Sequence, residues 1–207
     1  MIFALLPVKA PKNAKQRLSG CLTPEQRETL ARAMYEEVLA TLCSVEGLAR
    51  VVVVTSDEIA AARARSLAVE VFVETEQRGH SVSADAAARR ATELGATSVI
   101  LLPIDVPLVT KEEIESLIAA VGPGVIVVPS ADGTGTNALV RTPPDVIESR
   151  FGPHSFRKHV AQAEAIGVPV KVMRPPGLLF DIDTPEDIGE LLARAPSSRI
   201  AGLLKSI

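Results

Sequence analysis

The sequence predicts an α/β domain with a mainly parallel sheet covered by helices on both faces. Three observations carry that expectation. Short apolar runs at 51–54, 99–102 and 125–128 lack polar alternation, as strands buried on both faces do. Longer segments of helical spacing separate such runs nearly from end to end, the order of a layered α/β chain. Composition agrees: 47% of the 207 residues are hydrophobic but only 3% are aromatic, so the core is aliphatic. Val and Ile gathered in short clusters favour strands over a helical bundle.

Residues 3–6 form the first expected strand. Thr23, Pro24 and Gln26 supply an N-cap, a first-position proline and an N3 glutamine. Leu30, Met34, Val38 and Leu42 continue at near-helical spacing. Residues 51–54 are the second strand, Glu58–Ser66 an Ala-rich helix and 69–73 the third strand. A loop at 74–80 leads to a helix from about 83 to 94. The strand at 99–102 is stopped by Pro103 and Pro107, and Thr110 with Glu113 opens another helix through a capping box. Strands at 125–128 and 137–140 flank the polar turn 130–134. Residues 143–148 and 155–166 read as helices, 168–172 and 178–182 as strands. Thr184, Pro185 and Asp187 start a last helix, and residues beyond Pro196 form a short tail. No Pro/Gly/Ser-rich linker interrupts the pattern, so 1–207 reads as a single domain.

The 22 basic and 25 acidic side chains give a formal charge of -3 and no long basic tract. A nucleic-acid partner is therefore not expected, while a small phosphorylated ligand needs only a few cations in one cleft. Cys21 and Cys43 make no metal motif and no disulfide framework, and read as buried or semi-buried small residues. The N-terminal apolar run has no basic segment before it and no cleavage site, so a strand is expected there, not a signal peptide. No apolar stretch approaches the length of a membrane span. A cytoplasmic protein without a membrane partner is the expectation.

In such folds ligands gather beyond the carboxyl ends of the strands, where the conspicuous polar residues fall. Asp105 follows 99–102 almost at once and can hold a hard divalent cation; the alternative is a loop aspartate accepting local backbone N–H groups. Asp181 and Asp183 alternate with Phe180 and Ile182, so both carboxylates can face one site, although Asp183 can instead assist the following cap. Two adjacent carboxylates repel unless a cation lies between them. Together with Asp105 they resemble an oxygen-ligand metal site, for which Mg²⁺ is the natural ion beside phosphates.

Lys9, Lys12, Lys15 and Arg17 form the densest basic segment. Lys12 reads as solvated surface, and Lys9, Lys15 and Arg17 as candidates for a polyphosphate. Gly133–Asn137 can expose hydroxyls and backbone N–H groups, and Gly152–Ser155 precedes a helix whose N-terminus can hold an anion; either can equally be an ordinary turn. His80, His154 and His159 lack zinc-ligand spacing. Neither GxGxxG, a P-loop nor GxSxG is present.

Five segments, LLPVKAPKNAKQRL (5–18), LLPIDVPLVT (101–110), GTGTNAL (133–139), FGPHSFRKH (151–159) and FDIDTPEDI (180–188), together resemble the 2-phospho-L-lactate/phosphoenolpyruvate guanylyltransferases of coenzyme F420 biosynthesis. These enzymes are similar to the wider MobA-like nucleotidyltransferases, whose Rossmann-like fold is that of nucleotide-diphospho-sugar transferases. The resemblance implies transfer of a guanylyl group from GTP to a small phosphorylated three-carbon acid, with release of diphosphate. It assigns Asp105, Asp181 and Asp183 to Mg²⁺, Lys9, Lys15 and Arg17 to the nucleotide phosphates, and Thr136, Gly152 and Ser155 to the acceptor's phosphate. Asn137 falls in the same GTGTNAL segment. A homodimer is the assembly it leads one to expect.

Two departures bear on specificity. Where MobA-like proteins open with a Gly-rich segment, this chain has Leu5-Leu6-Pro7-Val8-Lys9, which favours the guanylyltransferase branch. Near the base pocket Gly79-His80-Ser81 replaces the Gly-Leu-Asn-like segment common in the family. His80 and Ser81 can still contact guanine. The alternatives are a relative acting on 3-phosphoglycerate or another phosphorylated acceptor, and a catalytically silent nucleotide-binding protein.

Overall fold

The computed structural model describes residues 1–10, 15–74 and 79–207. Lys12 and the central part of the 74–80 loop lie outside the described residues. Among the rest, seven strands form one sheet: β1 (Ile2–Val8), β2 (Arg50–Thr55), β3 (Glu70–Val73), β4 (Ser98–Leu101), β5 (Gly124–Pro129), β6 (Thr136–Thr142) and β7 (Val170–Val172). The order is β3-β2-β1-β4-β6-β5-β7. The pairs β1/β2, β1/β4, β2/β3 and β5/β7 are parallel, whereas β6 runs antiparallel to both β4 and β5.

Eight helices accompany the sheet among the described residues: α1 (Pro24–Ser44), α2 (Glu58–Ser66), α3 (His80–Glu93), α4 (Lys111–Ala119), α5 (Ser155–Ala165), α6 (Pro176–Leu179), α7 (Pro185–Arg194) and α8 (Arg199–Ser206). Successive β1 side chains serve opposite faces, as strand geometry requires. Ala4, Leu6 and Val8 pack with Tyr35, Val38 and Leu42 of α1 and Ile114 and Leu117 of α4. Phe3 and Leu5 pack with Ala84, Ala87, Ala88 and Ala91 of α3 and Ala163 of α5. The small α3 side chains let that helix lie close to the sheet. A third apolar cluster joins Leu30 and Met34 of α1 to Phe180, Ile182, Leu191 and Ile200.

Three helix starts follow from sequence: Thr23 with Gln26, Thr110 with Glu113 and Thr184 with Asp187 all form reciprocal capping boxes. Several expectations are corrected. Residues 143–148 form a turn, not a helix, because Arg141 takes the Ile147 carbonyl at 2.7 Å and Asp85 takes the Ser149 N–H at 3.0 Å. Residues 178–182 are not a strand: Pro176–Leu179 is a short helix, and Ile182 N–H bonds the Asp105 carbonyl at 3.0 Å instead of a ladder partner. The stretch beyond Pro196 contains α8, capped by Ser198, with Ile200 and Ala201 buried. Cys21 and Cys43 are exposed, not buried: Cys21 lies in the turn before α1, and Cys43 follows buried Leu42 on the outward side of the last turn of α1.

The sheet order places a switch point at β1. The chain proceeds from β1 toward β2 on one side and returns to β4 on the other. The carboxyl ends of β1 and β4 therefore open a crevice between diverging connections. Antiparallel β6 begins at that same end, because Leu101 near the end of β4 pairs with Leu139. Residues 136 and 137 project beyond that pair, over the crevice.

Candidate active site

A cleft of about 820 Å³ occupies this crevice. Lys9, Arg17, His80, Asp105, Thr136, Asn137, Gly152, Ser155, Asp181 and Asp183 all border it. Ten residues selected from six separated segments thus meet in one place. Lys15, Gly79 and Ser81 do not line it. Gly79 precedes α3 with φ 104, a backbone that disfavours any side chain, and borders a much smaller recess with Lys9 and His80. The Ser81 hydroxyl accepts the Phe151 N–H at 2.9 Å, tying α3 to the segment that carries Gly152.

Lys15 sits in a left-handed turn, φ 53, before the single 3-10 turn Gln16–Leu18. Its side chain is only 5% exposed, and its ammonium lies 2.6 Å from Asp105 Oδ1 and 2.9 Å from Asp183 Oδ1. A third bond reaches the Ile182 carbonyl at 2.5 Å. An ammonium has three donors, so Lys15 is fully engaged. Burial lowers its pKa, but the charges and hydrogen bonds of Asp105 and Asp183 outweigh burial and leave it above the ordinary lysine value. Lys9 and the largely exposed Arg17 are the members of the basic trio that border the cavity.

The local alternatives for the aspartates can now be weighed. Asp105 makes no bond to its own loop among the described residues; its carboxylate faces Lys15. Asp183 does not cap α7, which Thr184 and Asp187 do. Alternation survives at 180–183 without a ladder: Phe180 and Ile182 are buried, while Asp181 and Asp183 border the cleft. Asp181 accepts the Asn137 side-chain amide at 3.1 Å. Burial pushes the Asp181 pKa up, and the charges of Asp183 and Asp105 add to that effect against the Asn137 hydrogen bond.

Among the described residues no three His, Cys, Asp or Glu side chains already converge as a metal cage. The donor set nevertheless suits Mg²⁺ in kind. Two carboxylates, Asp105 and Asp183, share the fully engaged Lys15 ammonium while Asp181 meets only the Asn137 amide, and their hard oxygens favour a divalent cation that offsets the remaining negative charge.

Another part of the rim is formed by Thr136 and the Gly152–Ser155 segment. Gly152 has φ 109, and His154 takes the left-handed conformation directly before Ser155 and α5. Thr136 opens β6 and is nearly buried. Behind it lies a residue whose role the sequence reading missed: His159 is fully buried, with Nδ1 3.1 Å from Thr136 Oγ1 and Nε2 accepting the Arg150 N–H at 2.8 Å. Its position in the FGPHSFRKH segment, four residues after Ser155 on one helix, was the available signal. Phe151 stands between two histidines, 4.5 Å from the His80 ring and 5.2 Å from that of His159, both edge-on. The Ser130–Gly135 turn closes a further wall: Asp132 bonds the Ser130 hydroxyl and the Thr134 N–H and hydroxyl, which draws its pKa down to about 2.

Comparisons with known proteins agree with this architecture. The chain is 37% identical over 199 residues to a phosphoenolpyruvate guanylyltransferase of Sphaerobacter thermophilus, covering 94% of each chain. It is 31% identical over 207 residues to a 2-phospho-L-lactate guanylyltransferase of Methanothermobacter thermautotrophicus, covering 99% of this chain and 90% of the relative. In structure it resembles a protein of Desulfovibrio desulfuricans described as a nucleotide-diphospho-sugar transferase, with TM-score 0.79, 17% identity, and coverage of 99% and 94%. It also resembles a 4-diphosphocytidyl-2C-methyl-D-erythritol synthase of Anaerococcus prevotii, with TM-score 0.64, 12% identity, and coverage of 93% and 95%. These two likenesses show the nucleotidyltransferase fold. The model of the family described as "Guanylyl transferase CofC like" matches residues 2–207, and the chain belongs to that family.

Proposed function

We propose that this protein is a guanylyltransferase that joins GMP from GTP to a phosphorylated three-carbon acid and releases diphosphate, a step of coenzyme F420 biosynthesis. The observation that carries the reading is that one cleft is lined by Lys9 and Arg17, by Asp105, Asp181 and Asp183, and by Thr136, Gly152 and Ser155. Relatives named for phosphoenolpyruvate reach 37% identity and those named for 2-phospho-L-lactate 29–32%. Phosphoenolpyruvate is accordingly the acceptor we favour.

A phosphate oxygen of the acceptor attacks the α-phosphorus of GTP in line. The new P–O bond forms as the α–β bridging bond breaks and diphosphate departs. The acceptor is already anionic, so no strong side-chain base is required. Lys9 and Arg17 would meet the nucleotide phosphates, and Lys15 would hold Asp105 and Asp183 in register beside them. Asp105, Asp181 and Asp183 would hold Mg²⁺, which when bound screens the phosphate charges and stabilises the pentacoordinate transition state. Thr136, Gly152 and Ser155 would orient the acceptor, with Asn137 fixing Asp181. His80 would border the guanine, with Gly79 and Ser81 shaping the turn behind it. Orientation of two bound polyanions is the main task left to the protein.

A GTP-consuming enzyme of this kind would work in the cytoplasm, where GTP is made; no helix among the described residues is long and apolar enough to cross a membrane. Residues 1–207 would act as one domain, and the homodimer expected from the resemblance is tested by sedimentation. The functional test is diphosphate release from each of four NTPs with phosphoenolpyruvate, 2-phospho-L-lactate and 3-phosphoglycerate in the presence of Mg²⁺. GTP with phosphoenolpyruvate should be fastest. Preference for 3-phosphoglycerate would move the chain to the alternative acceptor class, and silence with every pair would remove the enzymatic reading.

A further inference from the structure

His159 has both ring nitrogens engaged, one by a side chain and one by the backbone. It is fully buried in α5, on the inner side of Thr136. Its Nε2 faces the backbone N–H of Arg150 at 2.8 Å. A backbone amide can only donate, so Nε2 must be the unprotonated nitrogen. The ring proton is then on Nδ1. Burial, followed by the positive charge of Arg141, holds the ring pKa down at about 4, so the ring is neutral near pH 7. Nδ1–H therefore donates to Thr136 Oγ1, 3.1 Å away.

That direction has a consequence at the cleft. A threonine hydroxyl can both accept and donate. With its acceptor side taken by His159, the Thr136 hydroxyl proton has no acceptor among the described residues, and Thr136 borders the cavity. We propose that His159 is a positioning residue for acceptor binding: its Nδ1–H fixes the Thr136 hydroxyl as a donor aimed at an anionic oxygen of the phosphorylated acid. The Arg150 N–H is the group that sets the tautomer. The ring has the opposite polarity from a general base, since its free-electron nitrogen faces away from the cleft. This inference rests on the proposed function for the identity of the anion, and adds a chain Arg150 N–H, His159, Thr136 hydroxyl, acceptor phosphate.

Two measurements test it. Long-range ¹H–¹⁵N spectra of the wild-type protein should show His159 as the Nδ1–H tautomer at neutral pH; an Nε2–H ring overturns the proposal without any variant. Steady-state kinetics with GTP and phosphoenolpyruvate should then compare wild type, His159→Phe, His159→Asn, Thr136→Val and the double variant Thr136→Val/His159→Phe. His159→Phe should raise KM for the acid about tenfold and leave KM for GTP within about twofold, because only acceptor binding loses a hydrogen bond. His159→Asn, whose amide can donate from near the Nδ1 position, should recover most of that loss. In the Thr136→Val background the phenylalanine should add less than about twofold, the non-additivity expected of one shared interaction. Equal effects on both substrates, or independent effects of the two substitutions, overturn the proposal. Should His159→Phe fail to fold, the tautomer and the asparagine variant decide: the Nε2–H ring, or an asparagine variant with KM for the acid raised as far as in Thr136→Val, overturns it. Absence of wild-type turnover with every acid instead sinks the functional reading, so the two failures are distinct.

Discussion

The ammonium of Lys15 lies 2.6 Å from Oδ1 of Asp105, a contact that also engages Asp183 and joins the loop after β1 to the loop after β4 and the turn before α7. Lys15 is buried whereas both carboxylates are about one-third exposed, so water screens part of the interaction. Lys15→Met should therefore destabilise the protein by about 1–3 kcal/mol, below the full cost of breaking a buried pair. Turnover should fall at least about tenfold, because Asp105 and Asp183 lose the group that aligns them. Urea denaturation and kcat on the same preparation measure both effects. Wild-type turnover in this variant would remove Lys15 from the site.

Asp105→Asn keeps the shape of the side chain and removes its charge. Turnover should drop about 100-fold or more while circular dichroism is unchanged, since the loss concerns charge stabilisation in the transition state. Chelation of divalent cations should abolish wild-type activity, and added Mg²⁺ should restore it. An active chelated enzyme would exclude the metal assignment.

Both His80 and His159 have pKa values lowered from the usual 6.5 to about 4, in each case first by burial. The unfolded chain therefore takes up protons before the folded one as pH falls. Stability is complete above about pH 6.5 and is lost progressively between there and about 4. Thermal unfolding across this range should show a falling midpoint, and His80→Asn should flatten the slope. A midpoint insensitive to pH would contradict the neutral state of these rings.

Asp85 accepts Arg141 Nη1 at 2.7 Å, the Ser149 N–H at 3.0 Å and the Ser149 hydroxyl at 2.7 Å. Arg141 is 1% exposed, and its Nε and Nη2 have no hydrogen-bond partner among the described residues. Asp85→Ala would leave a buried guanidinium without its counter-charge, at a cost of about 3–5 kcal/mol. Chemical denaturation should register it. Simultaneous Arg141→Met should recover part of the loss.

Thr23, which does not line the cleft, caps α1 through Gln26. Thr23→Ala should cost about 1 kcal/mol, which for a chain of this size is a midpoint shift of about 2–4 °C. KM and kcat should be unchanged. A kinetic effect would mean that α1 communicates with the site.

Much of this molecule is visible in local patterns. Apolar runs located all seven strands: β1, β4 and β5 are almost wholly buried and so apolar, while the edge strands β3 and β7 carry Glu70 and Lys171 and were marked by their valines. Threonine caps located the starts of α1, α4 and α7, since a cap is a contact within four residues. The segment 178–182 misled because its alternation is real but its hydrogen bonding is not local. Ile182 pairs with the Asp105 carbonyl, 77 positions away, and that partner is set by tertiary packing. The 143–148 turn misled for the same reason, with Arg141 and Asp85 taking its polar groups.

The site divides along the same line. The sequence alone singled out Asp105, Asp181, Asp183, Lys9, Arg17, Thr136 and Ser155 as candidates, because charged and hydroxyl side chains at these positions interrupt or flank the apolar runs. Only the tertiary structure decided what each faces. Lys15 turned inward to the carboxylates while Lys9 and Arg17 remained on the cavity, and His159 came to rest behind Thr136. Residue type and spacing fix the available donors, acceptors and charges. Their pairing depends on distances across the fold, which are set when the strands order themselves in the sheet.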